Sequence, residues 1–138
     1  MKKYLILIIT IIALFIINMF INDKKNVEII YKVQTNDNHC HKANITFDKF
    51  YYVLSMDKTC KSEDLFTSFT LSEKKMNNLL NSLSNVNKMK VSDNEKDKYY
   101  IYIKVKYNKF KVVEKEGYVD KDNKIYKVLK KNIKEIGF

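Results

Sequence analysis

The sequence predicts an α+β domain carried behind a single N-terminal transmembrane helix. Two stretches form β-hairpins whose apolar side chains sort onto one face, and each is followed by a segment whose apolar residues recur at helical spacing. This order favours an antiparallel sheet of two hairpins plus an N-terminal strand, with two helices packed on one face. We divide the chain into an anchor, residues 1–22, and a domain, residues 23–138.

The first element is the apolar segment 4–21, which carries no charge and follows Lys2 and Lys3. As a helix it rises about 27 Å, close to the thickness of a bilayer's hydrocarbon core. The residues after it lack the small-x-small pattern that signal peptidase needs. We therefore expect an uncleaved anchor that contacts membrane lipid through residues 4–21, with secretion after signal cleavage as the alternative.

Charge predicts the orientation of this anchor. Lys2, Lys3 and the amino terminus precede it, whereas Asp23 offsets one of the two lysines that follow. Because the more positive flank stays in the cytoplasm, the pattern indicates a single-pass protein of the cytoplasmic membrane. Its N-terminus is then inside and its domain outside.

The first half of the domain reads as a sheet followed by a helix. Residues 27–33 are rich in β-branched and aromatic residues and predict a strand. Residues 43–56 predict a hairpin that turns at Asp48 and Lys49, and residues 64–70 add a short strand. Ser72 then caps a helix. Its apolar stripe is Met76, Leu79, Leu80 and Leu83.

The second half follows a charged connection over residues 87–98. A hairpin is predicted to turn at Asn108 and Lys109, with Tyr107 opposite Phe110. This register places Phe110 on the core face of the hairpin, together with Tyr99, Ile101, Ile103, Val105, Tyr107 and Val112. Asp120 or Asp122 is predicted to cap a last helix, ended by Gly137. Its stripe is Ile125, Leu129, Ile133 and Ile136.

The same register predicts a candidate binding face on the outside of the second hairpin. Lysines there alternate with aromatic rings, a combination with which protein surfaces bind anionic polymers and partner proteins. Its members are Tyr100, Tyr102, Lys104, Lys106, Lys111 and Lys115. The alternative is a solvent-facing sheet surface on which lysines guard against aggregation.

Cys40 and Cys60 bracket the first hairpin, and an even cysteine count in an exported chain predicts a disulfide. Two free buried thiols are the alternative. His39 and His41 flank Cys40 and are weak candidates for metal ligands. Neighbouring residues on a strand point to opposite faces, so Cys40 diverges from both histidines. No CxxC, HxxxH or acidic cluster completes a ligand set, and we predict neither a metal site nor a cofactor.

Composition limits the function. Every one of the 26 basic residues is lysine and the net charge is +10, which raises the possibility of a polyanion partner such as nucleic acid, wall polymer or anionic lipid. Arginine, the usual bidentate phosphate ligand, is missing, so this partner is disfavoured. With two glycines and no catalytic motif, the chain is not predicted to be an enzyme.

We expect a non-catalytic extracytoplasmic module that binds a protein, such as an envelope accessory of immunity or exclusion type. The alternatives are a lysine-rich polyanion-binding protein and, more weakly, a thiol- or metal-dependent enzyme that uses Cys40 and Cys60.

Overall fold

The computed structural model describes residues 1–21, 23–35, 39–46, 49–57 and 60–135. Within them, six strands form one open antiparallel sheet: β1 (Glu28–Gln34), β2 (Cys40–Ile45), β3 (Lys49–Ser55), β4 (Leu65–Thr70), β5 (Tyr99–Lys106) and β6 (Val112–Val119). The strand order is β4-β3-β2-β1-β5-β6. The N-terminal strand β1 therefore joins the two predicted hairpins, and the predicted α+β class is confirmed.

Three α-helices complete the described part of the chain: α1 (Lys2–Ile21), α2 (Glu73–Ser82) and α3 (Lys124–Glu135). No side chain of α1 is buried, and the helix is long and apolar enough to cross a membrane. A signal sequence near the N-terminus passes the same test of length and apolar composition. Short 3₁₀ turns at Lys24–Asn26 and Val86–Lys88 connect the larger elements.

The core lies between one face of the sheet and helices α2 and α3. Alternate residues of β1, namely Ile29, Tyr31 and Val33, are fully buried, as strand periodicity requires. The helices contribute a matching stripe that packs in the same cluster: Met76, Leu79, Ile125, Tyr126, Leu129 and Ile133. This arrangement confirms that both helices pack on one face and leaves the opposite face of the sheet without a helix among the described residues.

Polar contacts at the rim of the core fix the two helices against the strands. The Tyr126 hydroxyl donates to the carbonyl of Gln34 at 3.0 Å, and the Asn132 amide donates to the Tyr31 hydroxyl at 3.1 Å. Burial raises the pKa of Tyr31, and the hydrogen bond from Asn132 offsets part of this rise. Each buried hydroxyl thus has a partner, which keeps these tyrosines compatible with an apolar core.

The N-cap residue predicted from the sequence is the observed one in α2 but not in α3. Ser72 caps α2 as predicted, since its hydroxyl accepts a hydrogen bond from the Lys75 amide at 3.3 Å. The cap of α3 is Asn123, whose side-chain oxygen accepts from the Tyr126 amide at 3.1 Å. The prediction of Asp120 or Asp122 was therefore wrong. Ile136 and Gly137, expected to end this helix, lie outside the described residues.

The first hairpin keeps its predicted faces, although its register is shifted by two residues. Ile45 pairs with Phe50, and the Thr46 amide donates to the Lys49 carbonyl at 2.9 Å. Because side chains alternate with a period of two, this shift leaves Ala43, Ile45 and Phe50 on the core face. Asp48, at which the turn was predicted, lies outside the described residues.

The second hairpin has a register that differs by one residue, and this reverses the faces of β6. The Tyr107 amide donates to the Lys111 carbonyl at 2.9 Å, and Val105 pairs with Val113. The Asn108 side chain causes the longer turn, because its oxygen accepts from the amides of Phe110 at 2.9 Å and Lys111 at 2.8 Å. The two-residue turn predicted at Asn108 and Lys109 was therefore wrong.

The connection between α2 and β5 packs on the sheet instead of lying free of it. Val86 and Met89 are buried in the core. Ser92 and Tyr118 exchange two backbone hydrogen bonds, of 2.9 and 2.8 Å, at the side of β6. The many charged residues of this connection gave no indication that Val86 and Met89 pack in the core.

Candidate interaction surface

The sheet face opposite α2 and α3, here called the outer face, is the main candidate surface. Its strands align side chains in rows across the sheet. One row runs through Phe66, Val53, Lys42, Lys32, Tyr102 and Glu116, and the next through Ser68, Tyr51, Asn44, Ile30, Lys104 and Glu114. The outer face therefore combines apolar, aromatic and oppositely charged side chains.

The predicted binding residues divide according to the observed register. Those on β5 share the outer face and are partly exposed: Tyr100, Tyr102, Lys104 and Lys106. Lys115 instead pairs with Ile103 on the helix-covered face. Lys111 lies in the turn, with its ammonium 4.8 Å from the centre of the Tyr107 ring. The prediction that all six share one face was wrong, because the turn holds one more residue than expected.

Glutamates take the places on β6 that the sequence assigned to lysines. The Tyr100 hydroxyl donates to Glu116 and the Tyr102 hydroxyl donates to Glu114, both at 2.9 Å. These two glutamates were missed by sequence reasoning. The one signal that could have revealed them is Asn108, a residue that favours turns closed by its own side chain.

These contacts set the charge of the surface. Desolvation, followed by the hydrogen bond to Glu114, raises the pKa of Tyr102 to about 12. Desolvation and Glu116 likewise raise the pKa of Tyr100. Both phenols are neutral at physiological pH, and the carboxylates beside them offset neighbouring lysines. The hairpin thus presents a surface of mixed charge.

The lysines in the middle of the outer face are separated by their partners. Lys32 and Lys42 are directly opposite on β1 and β2, where like charges repel. The Lys32 ammonium lies 5.6 Å from the centre of the Tyr102 ring, whereas that of Lys42 lies 3.7 Å from Glu63. Within the outer face, the two ammonium groups therefore point toward opposite edges of the sheet, Lys32 toward β5 and Lys42 toward the connection between β3 and β4.

The other side of the outer face ends at β4, an edge strand with apolar side chains. Leu65, Phe66 and Phe69 are 49%, 66% and 36% exposed, and the strand carries no charge. Phe66 stacks on Tyr51 at 6.4 Å between ring centres, and Phe69 stacks on Phe50 at 4.7 Å. Within the described chain no further strand pairs with β4. Exposed apolar edges of this kind pair readily with other chains.

The predicted disulfide between Cys40 and Cys60 is present, with 5.1 Å between the Cα atoms. It fixes the connection between β3 and β4 over one end of the outer face, where Cys40 is fully buried. Asp57 strengthens this loop by accepting hydrogen bonds at 2.8 Å from the Ser62 amide and the Ser55 hydroxyl. Both sulfurs are therefore structural rather than free thiols.

The two histidines near Cys40 have different environments. His41 is buried on the core side, with one ring nitrogen hydrogen-bonded to the Tyr52 hydroxyl and the other 3.3 Å from the Thr35 hydroxyl. His39 is partly exposed at the start of β2. Within the described residues, no group of three or more His, Cys, Asp and Glu side chains is placed to hold a metal ion.

Two hollows lie elsewhere on the described surface. A groove of about 310 Å³ separates α2 from α3 above Phe50, between Lys75 and Asn132. A shallow depression of about 670 Å³ contains Asp97, Lys98 and Asp120. Ser82, the hydroxyl residue among those that line the groove, donates its hydrogen bond to the Asn78 carbonyl at 2.9 Å.

No protein-family model, curated protein or solved structure matches this chain. The function must therefore be argued from the geometry of the chain itself.

Proposed function

We propose that this chain is a non-catalytic interaction module, anchored in the cytoplasmic membrane by α1, that binds a protein through its outer face. The N-terminus is in the cytoplasm and the domain is outside, in the role of an envelope accessory of immunity or exclusion type. The observation that carries the proposal is the outer face itself: a broad sheet surface without a covering helix among the described residues, which ends at the apolar edge Leu65–Thr70.

Its chemistry suits a protein partner. Exposed aromatic side chains such as Phe66 provide apolar contact area, and Tyr100 and Tyr102 add rings with polar tips. Glu114 and Glu116 among the lysines give a pattern of both signs, which discriminates among protein partners. The free edge of β4 additionally offers backbone groups to a partner strand.

A polyanion such as nucleic acid or wall polymer is the second candidate, supported by the net charge of +10. Glu114 and Glu116 count against it, because carboxylates within the same surface repel phosphates. A thiol- or metal-dependent enzyme is the weaker candidate, since Cys40 and Cys60 form a disulfide. Secretion after cleavage remains the alternative to anchoring.

Photocrosslinking in the source cell tests the proposal. A benzophenone amino acid replaces Phe66 or Tyr102 on the outer face, and Lys131 on the exposed side of α3 serves as control. We expect both outer-face positions to crosslink to the same protein and the α3 position not to. Equal adducts from all three positions, or adducts to nucleic acid that no longer form when isolated membranes are irradiated at high salt, would contradict it. Intact mass of the extracted protein tests anchoring, since cleavage would remove residues 1–22.

A further inference from the structure

The turn between β5 and β6 lies against the end of α1; we call this turn, together with the first residue of β6, the hairpin tip (residues 107–112). The Lys109 amide donates to the carbonyl of Ile21 at 3.4 Å. The Lys109 ammonium lies 4.3 Å from the centre of the Phe20 ring. Asn26 adds a hydrogen bond at 3.4 Å to the Phe20 carbonyl. Since the last carbonyls of a helix lack partners within it, these donors serve as a cap supplied by the domain.

The hairpin tip presents apolar side chains to its surroundings. Phe110, in the turn, is 72% exposed, and Val112, the first residue of β6, is 47% exposed. The Asn108 side-chain oxygen accepts from the amides of Phe110 and Lys111, so the backbone that carries the Phe110 ring is fixed by the turn. An exposed aromatic ring between two lysines is typical of segments that lie in a membrane interface.

The length of α1 places the tip at that depth. The apolar part of α1, residues 4–21, rises about 27 Å, which matches the hydrocarbon core. Ile21 is then at the boundary with the headgroups, and the Lys109 amide is in hydrogen-bond contact with it. The strand register agrees, because Lys106 next to the tip pairs with Glu28 at the start of β1, close to the anchor.

We propose that the hairpin tip is a second membrane contact, in which Phe110 and Val112 enter the boundary between headgroups and acyl chains. Lys109 and Lys111 lie among anionic headgroups, where lysine is attracted electrostatically. The inference rests on the proposed anchoring by α1. Together the two contacts fix the orientation of the sheet relative to the bilayer, which a single helix followed by a free linker would not do.

Tryptophan fluorescence tests this, because the chain contains no tryptophan. Full-length Phe110→Trp protein is reconstituted into vesicles of phosphatidylcholine and phosphatidylglycerol, with or without lipids brominated near the headgroup. We expect blue-shifted emission and at least twofold quenching by the bromines. Phe66→Trp, at the end of the sheet remote from α1, is the matched control and should show neither effect. Val112→Trp provides an independent reporter at the tip.

A third variant separates this inference from the anchoring on which it rests. Phe15→Trp lies within α1 and should be quenched by lipids brominated deep in the acyl chains. If Phe15→Trp is quenched while Phe110→Trp and Val112→Trp emit as in water, the tip contact is refuted and the anchor stands. If Phe15→Trp is not quenched, anchoring itself has failed and the tip proposal falls with it. Serine at Lys109 and Lys111 should weaken the Phe110→Trp quenching in anionic vesicles more than in neutral ones; an equal effect in both would refute the headgroup contact.

Discussion

Replacing Gly117 by alanine should destabilise the domain strongly. Gly117 pairs with Ile101 on the helix-covered face of β6. Its backbone has a φ of +150°, a conformation that residues other than glycine rarely adopt. A Cβ atom there would lie 2.9 Å from the Cβ of Val91 and 3.0 Å from the carbonyl oxygen of Ser92. The missing side chain is what lets the connection from α2 cross so close to β6.

The magnitude has two parts. Backbone strain at such a φ costs about 1–3 kcal/mol. Overpacking against Val91 and Ser92 adds roughly 1–3 kcal/mol, because Ser92 is held to Tyr118 by two backbone hydrogen bonds and cannot move away freely. A total of about 2–6 kcal/mol lowers the thermal midpoint of a domain of this size by roughly 8–24 °C.

Urea unfolding of the full-length protein in detergent, followed by tyrosine fluorescence and circular dichroism, measures the loss. Val91→Gly removes the Cβ and Cγ2 atoms that the new methyl group would meet. Combined with Gly117→Ala, it should recover the part of the steric cost that is due to Val91, but not the contact with the Ser92 carbonyl or the backbone strain, and give a coupling of about 1 kcal/mol or more. Lys121→Ala, in an exposed turn, is the control. A loss below about 1 kcal/mol for Gly117→Ala would refute the reasoning.

Three further predictions concern the disulfide and the outer face. Serine at both Cys40 and Cys60 should lower the free energy of unfolding by about 3 kcal/mol, because the bridge closes a loop with a sequence separation of 20; a urea midpoint equal to that of the wild type, with both proteins unfolded in the absence of reductant, would contradict this. The pKa of Tyr102, about 12, exceeds the unfolded value of about 10, so its contribution to stability is complete below pH 10 and is lost as pH rises toward 12. Glu114→Gln should lower this pKa in an ultraviolet titration, with Tyr102→Phe identifying the signal, and an unchanged titration would exclude the charged Glu114 carboxylate as a cause. Asn44→Val should raise the free energy of unfolding by roughly 1 kcal/mol, since the Asn44 side-chain oxygen is buried without a partner among the described residues; a clear loss in the same urea assay would show that this oxygen is satisfied.

The sequence by itself determined the kinds of elements and most of the core. Alternating and helical periodicities report directly which side chains can share a face, so β1 and the buried stripe Met76, Leu79 and Leu83 were predictable. Ser72 and the cysteine pair were predictable for a similar reason, because capping and disulfide formation depend on a few residues at short range.

Tertiary structure decided which chemistry reaches the outer face. A turn that is one residue longer, closed by Asn108, exchanged Lys115 for Glu114 and Glu116 beside the tyrosines. Because side chains alternate with a period of two along a strand, an error of one residue in the register moves every side chain to the opposite face. The apolar stripe of a helix follows from its own sequence and does not depend on such a register. Lys109 contacts Ile21, and Val91 approaches Gly117 closely, although the members of each pair are far apart in the sequence. Local sequence patterns report only on neighbouring residues, so they could not predict these contacts.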